Sequence, residues 1–353
     1  MTAFSQLETP AVLIDVDRIE ANLRRAQDYA DSHGLKLRPH IKTHKLPRFA
    51  KRAMELGAVG ITVQKLGEAE TMADAGITEI FLPYNIIGPA KLKRLRALAD
   101  RVNISVTADS AETVDGLSST FADSAKPLTV LVECDTGMGR CGVQTPETAL
   151  ALAHKISQSP GLLFGGLMTY PAAGQVEANQ SWLAAAREKL TVAGLASPII
   201  SNGGTPDLWR AHEVTAATEH RPGTYIYMDR FQVGKGVGEW TDCALTVLAT
   251  VVSRPTENRA IIDAGSKSLT SDTLGLQGFG LIENYPDAVI TGLSEEHGTI
   301  DLSNCPIKPA IGEQLRIIPN HACVVSNLFD EVTLISGSEI IETVPVAARG
   351  RVD

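Results

Sequence analysis

A parallel barrel of alternating strands and helices, followed by an antiparallel β domain, is the fold this sequence predicts. Two observations predict it. From residue 18 to about 225, short apolar runs rich in Val, Ile and Leu alternate with amphipathic helical patterns; after about 235 the chain becomes strand-length runs separated by Gly, Pro, Asn and Asp. Short, continuously apolar strands belong to a parallel sheet covered on both faces. Eight of them make a (β/α)8 TIM barrel the economical closure. The alternative is an open doubly wound sheet, but no GxGxxG follows a strand to supply a dinucleotide site.

The elements follow in order. The strand AVLIDVD (11–17) has no helix before it and is assigned to the β domain. Leu35 to Ile41 alternate apolar with basic or polar groups as a short strand does, and Pro47 opens an amphipathic helix that runs through Leu56. Barrel strands are expected to end near Lys42, Gln64, Tyr84, Thr107, Glu133, Tyr170, Ser201 and His220, with helices such as AKLKRLRALADR and ETALALAHKISQ between them. ALTVLATVVSRP, RAIIDAG, DAVITGL, GTIDL, EQLRIIP and EVTLIS are the strands of the second domain. The predicted organisation is a barrel over 18–235 and a β domain made of 1–17 and 236–353.

Composition narrows the class. With 353 residues, 44% hydrophobic and 21% charged, the chain can build one large core and a smaller one. A net charge of -9 and the lack of a basic stripe argue against nucleic acid. No apolar run reaches the roughly 18 residues a membrane helix needs, and the N-terminus does not read as a signal peptide, so a cytoplasmic protein is expected. The five cysteines are odd in number and irregularly spaced, which fits reduced thiols.

RPHIKTHK (38–45) puts Lys42 where the first barrel strand ends. The carboxyl ends of barrel strands are where chemistry is placed, so Lys42 is a candidate Schiff-base nucleophile. His40, His44, Lys45 and Arg38 are expected to favour its neutral amine by like-charge repulsion. Read alone, the segment serves equally as a basic surface turn.

After the seventh and eighth strands come SNGGTP and RPGTY. Both are ordinary turn sequences taken singly. Together they offer backbone N–H groups of Gly203, Gly204, Gly223 and Tyr225 with hydroxyls of Ser201, Thr205 and Thr224, enough to ring a phosphate at the usual barrel position. A strand-end lysine and a phosphate cup are the minimum equipment for pyridoxal 5'-phosphate. Gln64 and Arg140, the latter in ECDTGMGRCG, are then candidates for the phenolic oxygen, and Tyr170 or Arg221 for the ring nitrogen. No carboxylate is evidently placed to contact that nitrogen.

In PNHACVVSNLFDEV (319–332), His321 and Cys323 stand two apart in what reads as a strand, so both side chains leave one face. Imidazole plus thiolate suits a divalent metal, zinc first, with manganese or magnesium as alternatives. On spacing alone a buried free cysteine beside a satisfied histidine accounts for the motif equally well.

RPHIKTHK, QKLGEAE, DTGMGRCG, GGTP, GTYIYMD and PNHACVVSNLFDEV, taken in order over nearly the whole chain, resemble the D-threonine aldolase and D-serine dehydratase family, which shares the alanine racemase type of fold. The resemblance implies the cofactor on Lys42, a divalent metal at His321 and Cys323, a small D-amino acid as substrate and a homodimer. It also implies a choice of reaction. Dehydratases of the family resemble this chain in His-x-Cys, whereas aldolases tend to His-x-Asp and to a histidine after the tyrosine that is followed here by Pro171. The expectation is therefore a lyase of D-3-hydroxy amino acids that leans to dehydration, with retro-aldol cleavage as the alternative. An amino-acid racemase and a non-catalytic pyridoxal-phosphate carrier are the further readings, the carrier disfavoured by the long β domain.

Overall fold

The computed structural model describes residues 4–353. The chain forms two compact units: one of Arg25–Lys42, Leu46–Gly223 and Arg351–Asp353, the other of the chain up to Arg24, Thr43–Lys45 and Thr224–Gly350.

The first unit is the expected barrel. Its eight strands are Lys36–Leu37, Ile61–Thr62, Glu79–Asn85, Asn103–Ala108, Leu128–Cys134, Leu162–Thr169, Ile199–Asn202 and Glu219–His220. All neighbouring pairs are parallel, and the first strand pairs with the eighth. A bridge between His40 and Thr62 joins the first to the second and completes the ring. The first strand is shorter than its alternation suggests because Pro39 has no N–H for the ladder. The backbone keeps the course all the same, with Arg38 N donating to His220 O and Thr62 N to Pro39 O. Phe81, Leu131 and Met168 fill the interior, and the helices that cover the outside start at legible signals. Pro47 opens Pro47–Leu56, and a reciprocal Thr145–Thr148 capping box opens Pro146–Gln158.

The second unit is built on a nine-stranded, mostly antiparallel sheet. Ala11–Asp15 lies inside it, antiparallel to Leu245–Thr256 and parallel to Glu331–Ser336, so the N-terminal strand is recruited as expected. Its apolar residues are buried in succession, and Leu13 packs in a core with Leu248 and Ile335. Among the described residues, no helix is long and apolar enough to cross a membrane.

Candidate functional site

Lys42 sits in a 3-10 turn, Ile41–Thr43, which follows the end of the first barrel strand after residues 38–40. Its backbone N–H donates to Nδ1 of His40 at 3.3 Å, which leaves the His40 proton on Nε2, facing Gln64 Oε1 at 3.1 Å. The basic cluster seen in the sequence is dispersed by the fold. Arg38 forks onto Glu219 at 3.1 and 3.0 Å, and buried Lys45 reaches the Ala348 carbonyl at 3.4 Å.

The turns after the seventh and eighth strands are tied together. Gly223 N donates to Thr205 Oγ1 at 3.1 Å, and Gly204 O accepts from His220 Nε2 at 2.9 Å. Gly203 has φ +90, and a Cβ there would stand 1.9 Å from the His220 ring; one on Gly204 would stand 2.7 Å from the Tyr170 ring. Glycines are required at both positions. The result is a cradle of bare backbone whose back is the His220 ring.

Beneath it lies a buried polar network. Arg221 donates to Ser201 Oγ at 2.6 Å and to the Thr169 carbonyl at 2.7 Å, and Ser201 in turn donates to Glu219. The Ser201 hydroxyl thus fixes the arginine. Burial lowers the Arg221 pKa to about 10, with Glu219 and Glu133 opposing the shift. Arg140 is exposed and lies over the Tyr170 ring at 5.1 Å. Tyr225 is buried in the 3-10 turn Thr224–Ile226, and desolvation pushes its phenol up.

The metal-like pair differs from its sequence reading. His321 and Cys323 are not on a strand: His321 is the N-cap, and Cys323 the second residue, of the helix Ala322–Leu328. The buried Asp229 carboxylate accepts from Ala322 N at 3.0 Å and fixes that helix start. A short apolar run reads equally as strand or helix, and here the cap decides. The two side chains still meet. His321 hydrogen-bonds to Cys323, while its Nδ1 lies 2.7 Å from Asp272 Oδ2. Burial would lower the His321 pKa, but the sulfur, Asp272 and Asp229 outweigh it and raise it to about 9. The pocket favours positive charge, and a carboxylate-oriented imidazole beside a thiol fits a divalent metal. Among the described residues, no group of three His, Cys, Asp or Glu side chains is gathered for a metal, so the protein offers this pair. Thr43, the residue after Lys42, has Oγ1 3.1 Å from Cys323 Sγ, and Thr224 Oγ1 is 3.4 Å from it.

A cradle closed to any Cβ, an anchored arginine and a strand-end lysine fit pyridoxal phosphate. The comparisons with known proteins identify the family. Residues 14–231 match the alanine racemase N-terminal domain, and residues 244–335 match a putative serine dehydratase domain. The D-threonine aldolase of an Arthrobacter species is 35% identical, the match covering 98% of this chain and 94% of that one. The chain belongs to the D-threonine aldolase and D-serine dehydratase family. Family membership makes it an enzyme, a pyridoxal-phosphate-dependent lyase. The D-threo-3-hydroxyaspartate dehydratase of Delftia sp. strain HT23 is 31% identical over 96% of each chain. The solved D-threonine aldolase of Filomicrobium marinum superposes with a TM-score of 0.89 at 32% identity, covering 99% of this chain and 98% of that one. A variant of D-threo-3-hydroxyaspartate dehydratase in which a cysteine is replaced by alanine is described as a metal-free form, and a second variant replaces a histidine two positions earlier.

Sequence reasoning missed two residues. Asp272 orients His321 from 49 positions away, and nothing in its own segment signals that role. Glu133 was read as a strand end only, yet it is a buried carboxyl at the barrel mouth.

Proposed function

We propose that this enzyme is a pyridoxal-phosphate- and divalent-metal-dependent lyase of D-3-hydroxy amino acids, and that its reaction is dehydration to a 2-oxo acid and ammonia. The observation that carries the reading is the His321–Cys323 pair, oriented by Asp272 and touching Thr43, one residue along the chain from Lys42. A histidine and cysteine two apart are also the positions altered in the dehydratase variants, one of them metal-free.

Lys42 would carry the cofactor. Gly203, Gly204, Thr205, Gly223, Thr224 and Tyr225 would hold its phosphate, Arg221 or Tyr170 would face its ring nitrogen, and Gln64 with Arg140 its phenolic oxygen. Bound there, the cofactor supplies an electron sink for charge at the substrate's α-carbon, and a metal on His321 and Cys323 supplies a Lewis acid for the 3-hydroxyl. The remaining work falls to side chains. The Lys42 amine would be the base for the substrate's α-proton. Asp272 holds His321 through Nδ1, so Nε2 is the nitrogen that would serve a metal. Pro171 follows Tyr170, so that position offers no imidazole to deprotonate the 3-hydroxyl, and this favours loss of hydroxide over cleavage of the carbon chain.

A second reading is retro-aldol cleavage to glycine and an aldehyde, favoured by the 35% identity to the Arthrobacter aldolase. Incubating the loaded protein with D-serine, D-threonine and D-threo-3-hydroxyaspartate, with zinc, manganese or EDTA, decides the matter. EDTA-sensitive 2-oxo acid is the expected product; glycine with aldehyde would replace dehydration by the second reading.

A further inference from the structure

The carboxyl of Glu133 lies at the carboxyl end of the fifth barrel strand, 6% exposed, and none of the chemistry above uses it. Its partners come from the two preceding strands. Asn85 Nδ2 donates to Oε2 at 3.2 Å and Thr107 Oγ1 donates to the same oxygen at 3.4 Å. Oε1 takes no hydrogen bond among the described residues, and no cation forms an ion pair with either oxygen. A carboxylate buried with only two long, neutral contacts lacks what ordinarily keeps it ionised.

The tether also decides which oxygen would carry a proton. The group that Asn85 turns to Oε2 is its NH2, which can only donate, so Oε2 accepts. The proton of the acid form then belongs to Oε1.

We propose that Glu133 is a proton-holding residue of the cofactor site, clamped through Oε2 so that Oε1 carries an exchangeable proton at the barrel mouth, and that its charge state tunes the bound cofactor. The proposal rests on the cofactor reading above. The charged groups around it are Asp109 after the fourth strand, Arg140 in the loop after the fifth and Arg221 after the eighth, with the Cys134 and Cys141 thiols nearby. Burial, then Asp109, raise the carboxyl's pKa to about 7, against the opposing pull of Arg140, Arg221 and the Thr107 hydroxyl. Near neutral pH the barrel mouth therefore changes by one negative charge beside two guanidinium groups assigned to the cofactor. That change alters the field on a conjugated ring, which absorbs light accordingly.

The test is an absorbance titration of the protein loaded with pyridoxal phosphate, run on wild type, Glu133→Gln and Thr107→Val. Glutamine accepts from Asn85 and Thr107 through its oxygen and places an NH2 where the acid holds its proton, so it imitates the protonated form. The expected result is a spectral step near pH 7 in wild type, no step in Glu133→Gln, whose spectrum stays that of wild type at low pH, and a step moved to higher pH in Thr107→Val, which loses a contact that favours the charged form. A step that survives unchanged in Glu133→Gln overturns the proposal. Should that variant fail to fold, an unmoved step in Thr107→Val overturns it equally. Carbon-13 NMR of Glu133 in the cofactor-free protein separates the two levels. A titration in the ordinary carboxylate range overturns the proton-holding role whatever the cofactor does, while failure of wild type to take up pyridoxal phosphate, with Glu133 still titrating near 7, overturns the cofactor reading and the tuning with it.

Discussion

Replacing Gly203 by alanine should damage the backbone cradle proposed for the phosphate, and do so more than the same change at an exposed glycine turn. The backbone there has φ +90, a conformation that costs a residue with a Cβ about 1–2 kcal/mol. The new methyl would also stand 1.9, 2.2 and 2.8 Å from three atoms of the His220 ring. That ring cannot swing aside, because it is buried and its Nε2 is fixed on the Gly204 carbonyl. Overpacking of this kind adds about 1–3 kcal/mol, so the total is about 2–5 kcal/mol. Gly174→Ala is the matched control: its φ is +79 with nothing within 4 Å of the added carbon, so it carries the backbone cost alone. Urea unfolding at equal protein concentration reads the difference as a shift in midpoint at constant slope. Fluorescence titration with pyridoxal phosphate should show a weakened cofactor affinity for Gly203→Ala and none for Gly174→Ala. Equal midpoints for the two variants, with unchanged cofactor binding, would refute both the packing argument and the assignment of this turn to the phosphate.

Other outcomes follow from the same geometry. Burial lowers the His220 pKa from 6.5 to about 4, so the unfolded chain binds the proton first and stability is lost as pH falls from 6.5 through 4. The loss is roughly 3 kcal/mol, and His220→Gln should flatten it in urea midpoints taken across that range. Asp272→Asn should reduce zinc affinity by about 10–100-fold without changing pyridoxal phosphate uptake, as measured by competition with a chromophoric chelator. His321→Ala and Cys323→Ala should each abolish stoichiometric zinc by elemental analysis; retained zinc would move the metal elsewhere. Thr145→Ala removes the capping box of Pro146–Gln158 and should lower stability by about 1 kcal/mol, with activity unaltered.

The barrel was legible because its signals are local. Val130, Leu131 and Val132 are fully buried in a run that could only be a covered strand, and Pro47 marks the helix start at the residue expected. The candidate residues at strand ends were legible for the same reason, since a barrel's topology says which end matters before any side chain is seen. What could not be read is whatever depends on distant partners. His321 and Cys323 stand at a helix start and not on the expected strand, because the Asp229 carboxylate that fixes that helix lies 93 positions from Ala322. Ser201 looked like a free hydroxyl and is instead held between Glu219 and Arg221. Asp272 and Glu133 carry no motif of their own, and only the fold shows what they touch.

The central claim is that this chain works through a cofactor held covalently by Lys42, and reductive trapping tests it most directly. Protein loaded with pyridoxal phosphate is reduced with borohydride, digested and mapped by mass spectrometry, beside a Lys42→Ala control. A pyridoxyl group on the peptide carrying Lys42, absent from the control, is the predicted result. Label on another lysine, or equal label in both proteins, would contradict the account.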